Sequence, residues 1–450
     1  MTVINSNVAE TLNISENGTY DVSNYTGAVV NTPVAPDAYI RKVKSGTRIL
    51  NSSSPLDLTG IDTIGDYALA YACYHNTISG FSIPSLSGIS TINQYGCNSM
   101  CSQCSTLSGT VDLSGLTTVG NYGCQQMFDM CINITSVDLS SLEHLSANNA
   151  FYQAFRSCIK ITTVDLSSLK DITGESACDT MFRDNKLTSV NLSNLSLINA
   201  KNACNYMFYA ISSLTSINLS SLEKIKSQSA CAYMFGSTGI TNITLPSLIV
   251  IDGSTACQNM LSVGSSLISA DVSSLVAANG NSCMSSMFYG DTGLTNVNLS
   301  SLKYVNGTTP CYRMFRSCTA LTTLSFPALK TAASASFNSM LQDTTGCTVH
   351  FPSNMSSYAF TVGGTDTTVL YDLPATNILT GADTINYERN PKYDTATALA
   401  WRVEDTGTAP DFVVDWTPFY TSGLTDPTVG TTIYSDAECT TSVTTVASIS

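Results

Sequence analysis

Ala230-Cys231-Ala232-Tyr233-Met234-Phe235 decides the fold, because variants of it return along the chain at intervals of 26 to 28 residues. The position of Cys231 is held in turn by Leu69, Cys97, Cys124, Phe151, Cys178, Cys204, Cys231, Cys257, Met284, Cys311 and Phe337. A period this constant means that each unit is one coil of chain stacked on the next, since a single coil cannot bury its apolar face alone. The expected fold is a repeat solenoid over residues 61–341.

Working outward from that stretch, Ile217 and Leu219 flank Asn218 with period two, the mark of a short strand with one buried face. Cys231, Met234 and Phe235 fall at i, i+3 and i+4, which predicts a single helical turn. Each coil of ~27 residues is therefore read as a short parallel strand plus a short helical turn. Leu214, Ile217, Leu219, Leu222, Ile225, Cys231, Met234 and Phe235 close its core.

Ile134-Thr-Ser-Val-Asp-Leu-Ser-Ser-Leu142, together with the Met-Phe-x-x-Cys phrase, resembles the BspA-type leucine-rich repeats of bacterial surface proteins and the related Met-Phe-rich lipoprotein repeats. The stretches Met127 to Cys158 and Leu294 to Cys318 carry the resemblance best. It implies a leucine-rich-repeat-like solenoid, and it points toward adhesion and varied surface roles. The Ala-Cys-x-x-Met turn departs from the commoner Ala-Phe pairing of that family.

Two flanks adjoin the array. In residues 1–60, the alternation over 11–34 around Asn17-Gly18 predicts a hairpin in an attachment or capping segment. Beyond 341 the period is lost, and 342–450 reads as a small β-domain with strands near 367–373, 396–405, 410–421 and 431–435. Glu16-Asn-Gly-Thr-Tyr-Asp-Val22 resembles a short module of tail-associated proteins of phages of gut bacteria. Tyr420 to Thr440 resembles a module at the ends of phage and bacterial surface proteins.

Of the 450 residues only 12% are charged, and the formal charge is −14 with 19 Lys and Arg. That argues against nucleic acid or an anionic membrane as partner, because phosphate binding needs clustered cations. The N-terminus does not read as a secretory signal, and no segment has the ~18 consecutive apolar residues of a membrane span.

Sixteen cysteines would ordinarily suggest disulfides or a metal. The register assigns Cys97, Cys124, Cys178, Cys204, Cys231, Cys257 and Cys311 to one column, with Phe151 in line, and Cys104, Cys131, Cys158 and Cys318 to a second. Stacked neighbours about 4.8 Å apart with parallel side-chain vectors suit disulfides poorly, and Phe, Leu or Met cannot replace a metal ligand. Where Phe151 replaces Cys, Ala154 replaces the usual Met, as volume conservation in a packed core requires. The expectation is structural core, no metal and no cofactor. Cys101-Ser-Gln-Cys104 dissolves into the same columns.

The candidate binding residues form two outward columns. Asp112, Asp138, Asp165, Asn191 and Asn218 lie on the strands, where they could hold Ca²⁺, act as a glycosidase pair or close a bend. Tyr67, Tyr95 and Tyr122 could stack on sugars or pack against the N-terminal flank. No catalytic motif is present, so no enzyme activity is expected. The combined reading is a phage tail-fibre or receptor-binding protein on the virion exterior, recognising a bacterial surface glycan or protein. Other virion proteins and further copies of the chain, as in a trimer, would be its assembly partners. Alternatives are a bacterial cell-surface adhesin, a structural virion decoration and a polysaccharide-degrading tailspike.

Overall fold

The computed structural model describes residues 58, 60–76, 82–264 and 266–376 in full, and outside them only the backbone of short strands. The coils form a parallel β-solenoid with three sides. The first side carries the first strand of each coil, for example Ser108–Asp112, Asn133–Asp138 and Thr163–Asp165, paired in parallel with Asp112, Asp138 and Asp165 in one row. The second side carries a second short strand per coil, and eight of these, from His144–Leu145 to Thr331–Ala332, make one continuous parallel sheet.

The third side corrects the expected helical turn. Residues 202–210 are not helical; they form a ribbon of consecutive β-turns. The amides of Ala203, Asn205, Met207 and Tyr209 each donate to a carbonyl three residues back, at 3.2 Å. The amides of Asn202, Cys204, Tyr206, Phe208 and Ala210 donate instead to the next coil, to the carbonyls of Gln228, Ala230, Ala232, Met234 and Gly236. Every amide along the ribbon is thereby satisfied, alternately within its own coil and by its neighbour.

The ribbon repeats every four residues, and each repeat contains one residue with positive φ, such as Asn202, Tyr206 and Ala210, or Ser229, Tyr233 and Ser237. A left-handed residue costs roughly 1–2 kcal/mol in isolation. Here the inter-coil hydrogen bond made by that same residue offsets the cost. Apolar residues at i, i+3 and i+4 satisfy a four-residue repeat as well as a 3.6-residue one, which is why the sequence suggested a helix. The one helix among the described residues is the 3₁₀ segment Ser353–Tyr358.

The core runs the length of the array as columns. Leu219, Leu222, Ile225, Cys231, Met234 and Phe235 are all at most 1% exposed. Phe128, Phe155, Phe182, Phe208 and Phe235 stack one above another with centroids 5.4 to 5.8 Å apart. Such offset aromatic contacts add about 1 kcal/mol each beyond burial.

Both ends differ from the expected flanks. Thr348–Pro352 pairs in parallel with Thr323–Ser325, and Thr368–Leu373 pairs with Thr348–Pro352, so parallel stacking continues past 341. At the N-terminal end the described strands on either side of the expected hairpin at Asn17-Gly18 do not pair with each other. Gly18–Asp21 pairs in parallel with both Thr2–Val3 and Ala38–Arg41, while Thr11–Asn13 pairs with Val29–Asn31 in a separate sheet. Parallel partners some 18 to 20 residues apart mean coils rather than a turn-back. In the C-terminal part, Tyr387–Arg389 pairs antiparallel with Trp401–Val403, and Thr432–Tyr434 with Ser442–Thr445. The strand expected at 410–421 lies outside the described residues.

Candidate functional site

On the first side of the solenoid alternate residues point outward. The column that contains Asp112, Asp138, Asp165, Asn191 and Asn218 has a definite structural task. In each case a side-chain oxygen accepts the amide hydrogen of the serine two residues on: Ser114 to Asp112 at 3.0 Å, Ser140 to Asp138 at 2.9 Å, Ser167 to Asp165 at 2.9 Å, Ser193 to Asn191 and Ser220 to Asn218 at 3.1 Å. This is an Asx turn, and it closes the bend between the two strands of a coil.

The exceptions explain the rule. Thr244 and Ser325 interrupt the column, and two residues beyond them stand Pro246 and Pro327. Proline has no amide hydrogen, so no acceptor is needed there. Asp138→Ala should therefore cost about 1 kcal/mol by orphaning the Ser140 amide. Asp138→Asn should cost little, and Thr244→Asp should gain nothing. Denaturant midpoints check all three, and a neutral Asp138→Ala would remove the capping role.

Each carboxylate uses one oxygen in the cap. Asp138, Asp165 and Asn191 line a shallow open depression of about 420 Å³, together with Thr110, Ser136 and Thr163 of the second outward column. Asp112 and Asn218 lie on the same face, outside that lining. Acid–base cleavage of a glycoside needs two carboxyls in contrasting surroundings, one kept neutral and one ionised. Asp138 and Asp165 lie on adjacent strands and each is capped through one oxygen, Asp165 also accepting the Ser167 hydroxyl at 2.7 Å. The depression offers fixed hydrogen-bonding positions of the kind that recognition uses.

The Tyr67, Tyr95 and Tyr122 ladder lies on the turn ribbon, and all three residues have positive φ. Its rings stack with centroids 4.8 and 4.6 Å apart and planes within 12° and 1°. The facing ring surfaces cover each other, so the ladder presents edges and hydroxyls to solvent. Sugar stacking along its length is thereby lost, because that requires open ring faces. A similar cluster, not among the candidate residues above, stands further along. Tyr206 stacks on Tyr233 at 4.5 Å, and the Arg183 guanidinium lies 5.7 and 5.2 Å from the Tyr206 and Tyr209 ring centres. The signal was available in the alignment of Tyr206 and Tyr233 two residues after the cysteine column.

Cys97, Cys124, Cys178, Cys204, Cys231, Cys257 and Cys311 are buried free thiols, as Phe151 is a buried ring, and burial pushes the thiols up in pKa. Cys101 is likewise raised, first by its contacts with the Cys104 and Cys73 thiols and then by burial. Among the described residues no group of three or more His, Cys, Asp or Glu could hold a metal ion.

The second cysteine column does more than fill space. The Sγ of Cys104, Cys131, Cys158 and Cys318 donates to the carbonyl of Cys73, Cys101, Phe128 and Phe288, at 2.9 to 3.1 Å. Other members of the column do the same. Asn185 Nδ2 donates to Phe155, and Thr344 Oγ1 donates to Phe315 while accepting the Cys318 amide. At these positions the column is a buried ladder of small donors tying a coil to the one before it, whereas Thr238 donates within its own coil, to Phe235, and Ile211 and Gly264 supply no donor. The interchange of Cys with Asn185, Thr238 and Thr344 was the signal in the sequence.

Asp291 occupies this column with no exposure. Its Oδ1 accepts the Gly264 amide at 2.8 Å, and its Oδ2 is buried without a partner. Burial raises its pKa to about 9, against the lowering effect of the Gly264 hydrogen bond. A neutral carboxyl there can accept and donate, as Thr344 does.

Residues 127–262 match the sequence profile of the BspA type leucine rich repeat region in six copies. Among solved structures, the chain is similar to a leucine-rich repeat protein from Bacteroides ovatus at 17% identity and a TM-score of 0.40, over 79% of this chain and 91% of that one. It is also similar to a leucine rich cell surface protein from Faecalibacterium prausnitzii at 15% identity and a TM-score of 0.35, over 82% and 89% of the two chains. No curated protein matches the chain.

Proposed function

We propose that this chain is an adhesin-like recognition protein of a bacterial cell surface, binding a surface glycan or protein through the first-strand side of its solenoid. The observation that carries the reading is the open polar depression at Asp138, Asp165 and Asn191, which falls within the coils that match the BspA type repeat. Hydroxyl, amide and carboxylate groups on a rigid parallel scaffold supply fixed hydrogen-bonding positions, and a site on strands holds them more accurately than one on loops. The tail-fibre reading leans on the stretches Glu16 to Val22 and Tyr420 to Thr440, whose side chains lie outside the described residues. The repeat region supports the cell-surface reading, which takes first place.

The test uses the labelled full chain with intact bacterial cells, and with polysaccharide and protein fractions of their envelopes. Saturable binding to cells and to at least one fraction is expected. Non-saturable binding to all of them, equal to that of an unrelated protein of the same net charge, would remove the proposal.

A further inference from the structure

The second outward column on the strand side makes the proposed recognition more specific. From Thr110 to Thr323, each coil places a Ser, Thr or Asn at this position, with no exception. Folding does not demand this: the outward position of an exposed strand accepts β-branched, aromatic and charged residues. The neighbouring Asx column is required by the bends; in the hydroxyl and amide column exposed contacts link some coils, between Thr110 Oγ1 and Ser136 Oγ at 2.6 Å and from Ser269 Oγ to Asn242 Oδ1 at 2.7 Å, and such solvent-exposed contacts add little to folding. The two columns run side by side along the solenoid axis, two residues apart on each strand, which is about 6.6 Å.

From these columns we infer that the strand side binds a neutral linear polysaccharide lying along the solenoid axis, one sugar per coil; this rests on the surface-recognition reading. Equivalent groups recur at each coil, about 4.8 Å along the axis. An extended peptide repeats a given face every two residues, about 6.6 Å, and drifts out of step after a coil or two. A β1→4-linked pyranose chain advances by about one coil per sugar and turns over at each link, so the same ring face recurs about every second coil and meets an equivalent pair of groups there. On one side stands a hydroxyl such as that of Ser136 or Thr163. On the other is the oxygen of Asp138 or Asp165 that its cap leaves unused.

Charge selects among polysaccharides. Asp112, Asp138 and Asp165 stand in consecutive rows, on a chain with a formal charge of −14. A uronic-acid chain would bring carboxylates against carboxylates. The depression spans the four coils from Thr110 to Asn191, and it is shallow and open. Each sugar therefore contributes little alone, and affinity accumulates along the chain by effective concentration.

The experiment titrates the full chain with gluco-, manno- and xylo-oligosaccharides of one, two, four and eight sugars. A uronic-acid chain and an extended neutral peptide of matching length serve as comparisons. For at least one neutral series, affinity should rise by about tenfold or more from two to four sugars and then level off. The uronic-acid chain should bind at least about tenfold more weakly. The double variant Ser136→Val and Thr163→Val keeps strand-forming side chains and should lose about tenfold in affinity, with an unfolding midpoint lowered by no more than loss of the one exposed Thr110–Ser136 hydrogen bond accounts for.

Affinity that ignores chain length, preference for the uronic-acid chain, or peptide binding that the double variant abolishes would each overturn the inference. So would failure of every oligosaccharide while the wild type and the double variant bind cells equally, and surface recognition would then stand without this ligand. Absence of binding to cells as well would remove both.

Discussion

Asp291→Asn should stabilise the protein at pH 7 by about 3–4 kcal/mol, an unusually large gain for one substitution. The carboxyl is fully buried, and its pKa is raised to about 9, well above the unfolded value of about 3.9. A raised carboxyl pKa means that the folded state holds a proton which the unfolded chain releases. Stability from this group is complete below about pH 4, falls as pH rises toward 9, and is then flat. Each pH unit within that window costs about 1.4 kcal/mol.

Asparagine is nearly isosteric, and Asn185 already occupies the column, donating to the carbonyls of Phe155 at 3.0 Å and Phe182 at 2.6 Å. At position 291 its oxygen can still accept the Gly264 amide, and its uncharged nitrogen replaces an oxygen that has no partner. The gain should therefore be near zero at pH 4 and large at pH 8, measured by denaturant midpoints at both. A gain of equal size at the two pH values would show that Asp291 is not held neutral by burial.

Phe151 and Ala154 should behave as one unit of volume. In neighbouring coils the same two positions carry Cys124 with Met127 and Cys178 with Met181, and all six side chains are fully buried. Phe151→Cys alone opens a cavity that costs about 3 kcal/mol. Ala154→Met alone forces a long side chain against the intact ring and costs about 2 kcal/mol. The double variant restores the arrangement of the adjacent coils and should lie within about 1 kcal/mol of the wild type. A thermodynamic cycle over the four proteins checks it, and the expected coupling is about 4 kcal/mol. Additive effects would mean that the two sites do not share one space. Leu69 with Ala72 in the first coil repeats the pattern of large with small.

The column register was legible because stacking makes spatial neighbours of residues one period apart. The amides of Cys97, Cys124, Phe151, Cys178 and Cys204 donate to Gly123, Ala150, Ala177, Ala203 and Ala230, each immediately before the next member of the column. The turn ribbon was not legible from apolar spacing, since the buried pairs Cys231 with Ala230 and Phe235 with Met234 fit a four-residue repeat and a helix alike. Ser229, Tyr233 and Ser237, the residues that carry positive φ, were the discriminating positions, and their types alone do not demand that conformation.

For the candidate site, the outward position of Asp112, Asp138 and Asp165 followed from strand alternation, and their capping role could have been read from Pro246 and Pro327. The Tyr67, Tyr95 and Tyr122 column was visible too, but whether its faces were open depended on ring orientation.

The sequence by itself determined the period, the stacking register and which side chains share a column, because one short coil repeated along a line converts position in the period into position in space. Tertiary structure decided what each column does. Covered tyrosine faces, thiols that donate to carbonyls about 30 residues back, and a neutral Asp291 all depend on distances and burial between successive coils, and those are absent from any single coil read alone.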